Sequence, residues 1–502
     1  MHKFNTTGLC TPEEDYMVDI SGKIKQIREL VERRCYFTIN RARQYGKTTT
    51  LNELVKALAD EYIVISICFQ EMGEDCFKSS ELFCKAFIRK VVQALKFTTA
   101  SMDYIKNWDE KSIQGMGELG EHIEKMCEGK KIVLIIDEVD RTSNNSVFLQ
   151  FIDILRAKFL ARKAGRRNTF HSVILAGVYD IKNIKLYNSP WNIAINFKVD
   201  MSFSATEIAT MLSKYEIDHN TGMDVDLISK EIYSYTSGYP FLVSRLCQCI
   251  DEEAGRDWTL AGIQGAIREM LIESNTLFDD MFKNLENNKE LSSLIYDLLI
   301  MRAVKPFVID DPIVGIGVMY GFLVNTDDKI AIANKIFELR MVNYYISKDL
   351  RNKKQITGVL QHDIVQGGVF DMELCLRKFS EHYGEIFSNM DEEFLERHGR
   401  LLFLSYLKPL INGNGFYHIE SQLIDMRRMD IVVDFGRQQF IIELKLWDGK
   451  AKQEDAYKQL CGYLESKHTG TGYLLTFDFR KNKKKKAEWL KIYGKDVFHV
   501  VV

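Results

Sequence analysis

Between residues 35 and 58 a strand-sized run, a Gly-Lys-Thr triplet and a helical repeat follow one another without a break. Cys35-Tyr-Phe-Thr-Ile-Asn40 is β-rich, Arg41-Ala-Arg-Gln-Tyr-Gly-Lys-Thr48 follows, and Thr49 to Leu58 repeats apolar residues at helical spacing. At such a junction the free backbone N–H groups of the helix start face an anion, and the helix dipole favours negative charge there. Arg43, Gln44, Tyr45, Gly46 and Thr49 would form the cradle. Lys47 would reach the β- and γ-phosphates, and the Thr48 hydroxyl would ligate Mg²⁺. The general motif asks for glycine where Arg41 stands, which matters if the loop bends through positive φ at that point. Alone, the triplet also fits an ordinary β–α turn carrying a solvated lysine.

A second apolar run makes the phosphate reading stronger. Lys131-Ile-Val-Leu-Ile-Ile-Asp-Glu-Val-Asp140 predicts a strand buried on both faces, as in a parallel sheet, ending in carboxylates. Asp137 would hold Mg²⁺ and Glu138 would polarise the attacking water. The plainer alternative is a strand-end carboxylate capping the next helix. His171 to Gly177 predicts a third strand beside the Asp137 strand, with a γ-phosphate sensor near Gly177-Val178. From Ser204 to Ala254 the pattern is helical and suits a lid. Two β-rich runs, Gly321–Asn325 and Ile330–Asn334, flank Thr326-Asp-Asp-Lys329 and predict a hairpin, which after helices suggests a winged-helix module.

The whole chain, 502 residues long, has room for three or four domains by a prior of roughly 100–200 residues each. Its 67 Lys+Arg against 70 Asp+Glu exclude a simple polycation, so any nucleic-acid contact must use local basic surfaces. No apolar run approaches the ~18 residues of a membrane span, and the start of the chain lacks a signal-type apolar stretch; a cytoplasmic protein without membrane contact is expected. Ten scattered cysteines without a CxxC pair predict reduced thiols, and the ten dispersed histidines give no zinc site.

The last third carries a second constellation. Met429-Asp-Ile-Val-Val-Asp-Phe435 and Gln438-Gln-Phe-Ile-Ile-Glu-Leu-Lys-Leu446 are two β-runs joined by Gly436-Arg437. A two-residue turn there pairs Phe435 with Gln438. Counting outward puts Asp430 opposite Glu443, with Lys445 on the same face as Glu443. Opposed carboxylates repel unless a cation lies between them, so the register predicts a Mg²⁺ site. The alternative is an exposed strand of alternating charge. Arg480-Lys-Asn-Lys-Lys-Lys-Lys486 would be either a solvated loop or a phosphate-contacting edge.

Two resemblances add to this reading. The opening Phe4 to Asp19 and Tyr36 to Thr50 resemble the AAA-ATPase-like proteins of bacteria and archaea, which are similar to STAND-type regulatory ATPases and often carry arginine at the position of Arg41. The resemblance implies ATP as the nucleotide, Tyr16–Asp19 near the adenine, and Gly238 and Pro240 opening a lid helix that faces the nucleotide. The D-x₁₂-E-x-K spacing resembles the PD-(D/E)xK nucleases. That implies Mg²⁺ held by Asp430 and Glu443, with Glu420 as a further acidic ligand, Lys445 placing the attacking water, and Gln459 facing the site from the next helix. The expected fold class is α/β: a P-loop NTPase core over 1–200, a helical lid over 201–255, a winged-helix-like domain over 256–350, and a restriction-endonuclease-like domain over 351–502. The expected function is an ATP-controlled, Mg²⁺-dependent nuclease acting on DNA, in defence or mobile-element biology, with self-association through the ATPase domain. The competing expectation is a signalling or scaffold ATPase whose nuclease-like domain is inert.

Overall fold

A computed structural model describes the chain except residues 1, 109–112, 140–144, 179–190, 254, 302, 353–363, 387–391, 412–414, 419–430, 448, 479 and 481–485. The chain divides into two compact units, residues 1–263 with 308–324, and 264–307 with 325–502.

The first unit is built on α1 (Ser21–Glu32), β1 (Tyr36–Asn40), α2 (Lys47–Leu58), β2 (Ile63–Cys68), α3 (Ser80–Leu95), α4 (Met102–Lys106), α5 (Met116–Met126), β3 (Ile132–Asp137), α6 (Ser146–Lys163) and β4 (Ser172–Gly177). The four strands form one parallel sheet in the order β1-β4-β3-β2. The His171–Gly177 run thus lies beside the Asp137 strand, in the register Ile136↔Leu175. Every residue of β3 is buried because both faces are covered. Leu134 and Ile136 join one apolar cluster with α3, α5 and α6, while Val133 and Ile135 join another with α1 and α2. The period-2 alternation of an all-apolar strand therefore feeds two cores.

Three helices follow, α7 (Ala205–His219), α8 (Val225–Thr236) and α9 (Pro240–Gln248). Ser204 caps α7 in a reciprocal box with Glu207, and Asp224 caps α8. Further along come α10 (Leu260–Ile272), α11 (Thr276–Asn287), α12 (Lys289–Leu299), α13 (Pro312–Met319), the hairpin of β5 (Leu323–Thr326) and β6 (Lys329–Ile332), and α14 (Lys335–Asn352). The hairpin turn is shorter than the sequence pattern suggests. Asp327 and Asp328 take φ of 51° and 59°, so two residues suffice and the strands extend toward each other.

The second unit also contains β7 (Val365–Gln366), β8 (Val369–Phe370), α15 (Met372–Ile386), α16 (Glu392–Ile411), β9 (Gly415–His418), β10 (Ile431–Phe435), β11 (Gln438–Leu446), α17 (Lys450–Ser466), β12 (Thr471–Phe477), β13 (Lys486–Ile492) and β14 (Lys495–Val501). Its six-stranded mixed sheet has the order β13-β14-β12-β11-β10-β9. The central β11, β12 and β14 are parallel. On one face Val432, Ile441, Leu474 and Val497 pack with Ala456, Leu460 and Leu464 of α17. On the other, Phe477 meets Phe379 and Tyr383 of α15. Among the described residues no helix is long and apolar enough to cross a membrane.

Candidate functional site

The loop between β1 and α2 turns through positive φ at Gln44 (55°) and Gly46 (73°), whereas Arg41 is not in that region. The glycine missing at position 41 is therefore not needed for the bend. The Arg41 guanidinium instead donates to the carbonyls of Asn40 (2.8 Å) and Val199 (2.7 Å) and lies 5.4 Å from the Phe197 ring centroid. Burial, its leading influence, holds the Arg41 pKa below the usual arginine value.

Lys47 opens α2 and is buried, its ammonium donating to the carbonyls of Arg41 (2.9 Å) and Ala42 (3.0 Å). Thr48 Oγ1 donates to Asp137 Oδ2 at 3.1 Å. The other carboxylate oxygen of Asp137 accepts from the Glu138 backbone N–H at 2.8 Å. Glu138, at φ 56°, turns the chain out of β3 and is half-buried. The two separate sequence runs thus bring Lys47, Thr48, Asp137 and Glu138 to the same end of one parallel sheet.

A cavity of about 340 Å³ adjoins this loop. Gln44, Gly46 and Thr49 line one side, and Tyr16, Val18, Met211 and Phe241 line the other. Pro240 occupies the first turn of α9, as the sequence suggests, and its Cβ lies 3.7 Å from where a Cβ on Gly46 would sit. The Tyr45 and Tyr239 rings meet edge-on at 4.6 Å, and the Tyr239 hydroxyl donates to the Arg43 carbonyl.

The cavity has a further wall from the N-terminal segment. Tyr16 N–H donates to the Lys3 carbonyl (2.9 Å), closing a loop whose Cys10 N–H donates to Thr49 Oγ1 (3.3 Å). The Tyr16 hydroxyl donates to Asp218 Oδ2 at 2.9 Å and lies 3.1 Å from His219 Nε2, tying the segment to the end of α7. Burial followed by the Asp218 bond pushes the Tyr16 phenol well above its ordinary range. Tyr16 and Val18 fall within the stretch expected near the base, but the anchor to α7 was not readable from their spacing. A buried ammonium on a glycine-containing turn, a hydroxyl–carboxylate pair and a mostly apolar cavity together suit a Mg²⁺–nucleotide.

In the second unit, β10 and β11 pair in the register Ile431↔Ile442 to Phe435↔Gln438, with Gly436 (φ 57°) and Arg437 as the two-residue turn. Glu443 and Lys445 lie on the α17 face of β11. The Glu443 carboxylate is buried, and its Oε1 lies 3.0 Å from Lys445 Nζ. Glu420 and Asp430 lie outside the described residues, as does most of the basic run from 481 to 485. Among the described residues no group of three or more His, Cys, Asp or Glu gathers as metal ligands. Gln453, rather than Gln459, lines a small cavity with Lys445 and Thr476. The helix meets the sheet about a turn and a half earlier than expected because Ala456, Leu460 and Leu464 supply its packing stripe.

A strand, a phosphate-type loop, a helix and a neighbouring strand ending in carboxylates define the first unit's class: a P-loop NTPase domain. The AAA-like domain family matches residues 14–339, and the chain belongs to that family. No curated protein matches it. Among solved structures, the Walker-type ATPase of Pyrococcus abyssi is 14% identical with a TM-score of 0.48, covering 67% of this chain and 99% of that one. The ORC2 protein of Aeropyrum pernix, in ADPNP–ADP complexes, is 12% identical with a TM-score of 0.40, covering 69% and 98%. A RuvB variant of Thermotoga maritima is 11% identical with a TM-score of 0.32, covering 63% and 92%.

Proposed function

We propose that this chain is an ATP-binding switch joined to a Mg²⁺-dependent nuclease that hydrolyses DNA phosphodiesters. The observation that carries the nuclease half is the burial of Glu443 on the same strand face as Lys445. An exposed strand of alternating charge would leave Glu443 in water. A buried carboxylate is costly unless paired, and here its neighbour is the ammonium two residues on. In this reading Asp430 and Glu420, which lie outside the described residues, complete the site beyond the pair Ile431↔Ile442.

In this reading Thr48 and Asp137 would hold the Mg²⁺ of the nucleotide, and Glu443, Asp430 and Glu420 would hold that of the nuclease. Such a cation supplies Lewis acidity and a lowered water pKa. Lys47 supplies fixed positive charge to the triphosphate, and Glu138 orients water beside it. Lys445 places an ammonium where negative charge develops on the scissile phosphate. Residues 201–255 would act as the lid and residues 256–350 as a winged-helix-like module. Regulation of the STAND type, self-association through the ATPase domain, and a cytoplasmic role in defence or mobile-element biology complete the reading.

The test uses the full chain with Mg²⁺ and ATP on linear, nicked, single-stranded and circular DNA. Cleavage that disappears in Asp430→Ala and Lys445→Ala is the expected result. DNA binding without cleavage by the wild type would instead favour a scaffold ATPase with an inert nuclease-like domain.

A further inference from the structure

Four side chains between α17 and the second sheet form an unbroken polar chain in the same layer as Glu443 and Lys445. Gln453 Nε2 donates to the Tyr457 hydroxyl at 3.0 Å. That hydroxyl lies 2.8 Å from His499 Nδ1, and His499 Nε2 lies 2.9 Å from Thr476 Oγ1. His499 is completely buried, and Thr476 is nearly so. The sheet register explains the convergence: Thr476 of β12 pairs with Lys445 of β11, and Leu474 pairs with both Glu443 and His499.

The proton positions along this chain follow from its first donor. The Tyr457 oxygen accepts from Gln453, so its own proton is free to go to His499 Nδ1. Gln453 Nε2 also approaches Nδ1, at 3.5 Å, and a proton on Nδ1 would point toward that amide. Nδ1 is therefore the acceptor, and Nε2 carries the proton and donates to Thr476 Oγ1. Burial pushes the His499 pKa down to about 4, which keeps the imidazole neutral and the polarity single. The reverse polarity would require the Gln453 amide to turn its oxygen toward the Tyr457 hydroxyl, in place of the Nε2 donor that faces it. With its oxygen already accepting, Thr476 must donate its own proton elsewhere. It lines a cavity of about 10 Å³ with Lys445, Trp447, Gly449, Lys452 and Gln453, space for one oxygen-sized group.

We propose that the Thr476 hydroxyl, with its polarity fixed by Gln453, Tyr457 and His499, donates jointly with the Lys445 ammonium to one non-bridging phosphate oxygen of a DNA strand. The proposal rests on the nuclease reading only in taking the anion to be a phosphodiester. Thr476 is the group that touches substrate; Tyr457 and His499 are positioning residues. In a Tyr457→Phe protein the His499 tautomer is no longer fixed, and Thr476 can turn its proton onto Nε2.

The experiment measures binding of the full chain to a short labelled DNA duplex in EDTA, with cleavage in Mg²⁺ as a parallel arm and a thermal melt of every variant. Thr476→Val should weaken duplex binding about tenfold, the effect of one hydrogen bond to a charged group, and Thr476→Ser should restore it. Tyr457→Phe should weaken binding too, and the Thr476→Val/Tyr457→Phe pair should be no weaker than Thr476→Val, because both act through one hydroxyl. A folded Thr476→Val protein that binds like wild type overturns the proposal, and fully additive losses overturn the chain that orients it. Wild type that shows this binding pattern but never cleaves supports the phosphate contact while refuting the nuclease reading. Wild type that does not bind the duplex refutes both.

Discussion

Gly238 lies in the link between α8 and α9, next to the residues that reach the β1–α2 loop, and its replacement by alanine has consequences that follow from the geometry. Gly238 sits at φ 70°, and a Cβ there would lie 1.8 Å from the Phe203 carbonyl oxygen. The Phe203 N–H also donates to the Gly238 carbonyl at 2.8 Å, so the obstacle is itself anchored to the residue being changed. The left-handed conformation costs an alanine roughly 1–2 kcal/mol. Moving a backbone carbonyl aside adds about 1–3 kcal/mol of strain, and losing the Phe203 bond adds about 1 kcal/mol. The total is about 3–6 kcal/mol, or roughly 5–10 °C in Tm for a unit of this size. The displacement would move Tyr239, Pro240 and Phe241, which touch the Arg43 carbonyl, the Gly46 surface and the cavity wall. Gly238→Ala should therefore lower both Tm and ATP affinity, read by differential scanning calorimetry and by titration with a fluorescent ATP analogue. Gly22→Ala is the control: Gly22 lies in α1 with open space around it, and that change should be neutral or slightly stabilising. Equal melting temperatures and ATP affinities for Gly238→Ala and wild type would refute the reasoning.

Other outcomes follow from the two units. Lys47→Ala should lose ATP binding in equilibrium dialysis, since the triphosphate loses its buried cation; unchanged affinity would remove the loop assignment. Glu138→Gln should bind ATP normally yet hydrolyse it at least a hundredfold more slowly in a phosphate-release assay. Stability should fall on mild acidification. His171 and His499 are both held to about pKa 4, by burial first and then by Arg34, Arg162 and Lys131 for His171 and by Lys486 for His499. An unfolded imidazole titrates near ~6.5, so between ~6.5 and about 4 the unfolded chain takes up protons that the folded chain refuses. The contribution is fully present above ~6.5 and is lost as pH falls through about 4. Urea titrations at stepped pH should show this decline, and His499→Gln should flatten part of it; a flat wild-type profile between those limits would contradict the burial argument.

The parts of this molecule that were legible in the sequence are those set by local pattern. Ile132–Asp137 reads as a doubly buried strand because nothing polar interrupts it, and the Gly436-Arg437 turn fixes its hairpin register by counting. The contact between Thr48 and Asp137 also follows, since two strands of one parallel sheet must end on the same side. What was not legible depends on pairings distant in sequence. Tyr16 and Asp218 are 202 residues apart, and no periodicity in either segment announces their bond. The His499–Thr476 contact requires knowing that β12 and β14 are parallel neighbours with β13 at the edge. Gln453 and Gln459 are both glutamines on one helix, and only the packing stripe of α17 decides which faces the sheet.

Arg41 shows how a departure from a motif can be absorbed by its surroundings. The bend that a first glycine would permit is made further along, at Gln44 and Gly46, so an L-residue at position 41 carries no conformational penalty. Once a side chain is tolerated there, its chemistry becomes available. The guanidinium holds the Val199 carbonyl and lies against Phe197, in the stretch that leads from the sheet toward Met201 and Phe203 at the cavity. Meanwhile the Arg41 carbonyl receives the Lys47 ammonium, so one residue links Lys47 to the segment that leads into α7. A glycine could offer only the carbonyl. The substitution therefore exchanges backbone freedom, unused at this position, for a fixed contact between the loop and the chain entering α7. Under the proposed switch, displacing Lys47 from the loop carbonyls would disturb the residue that braces the chain entering α7.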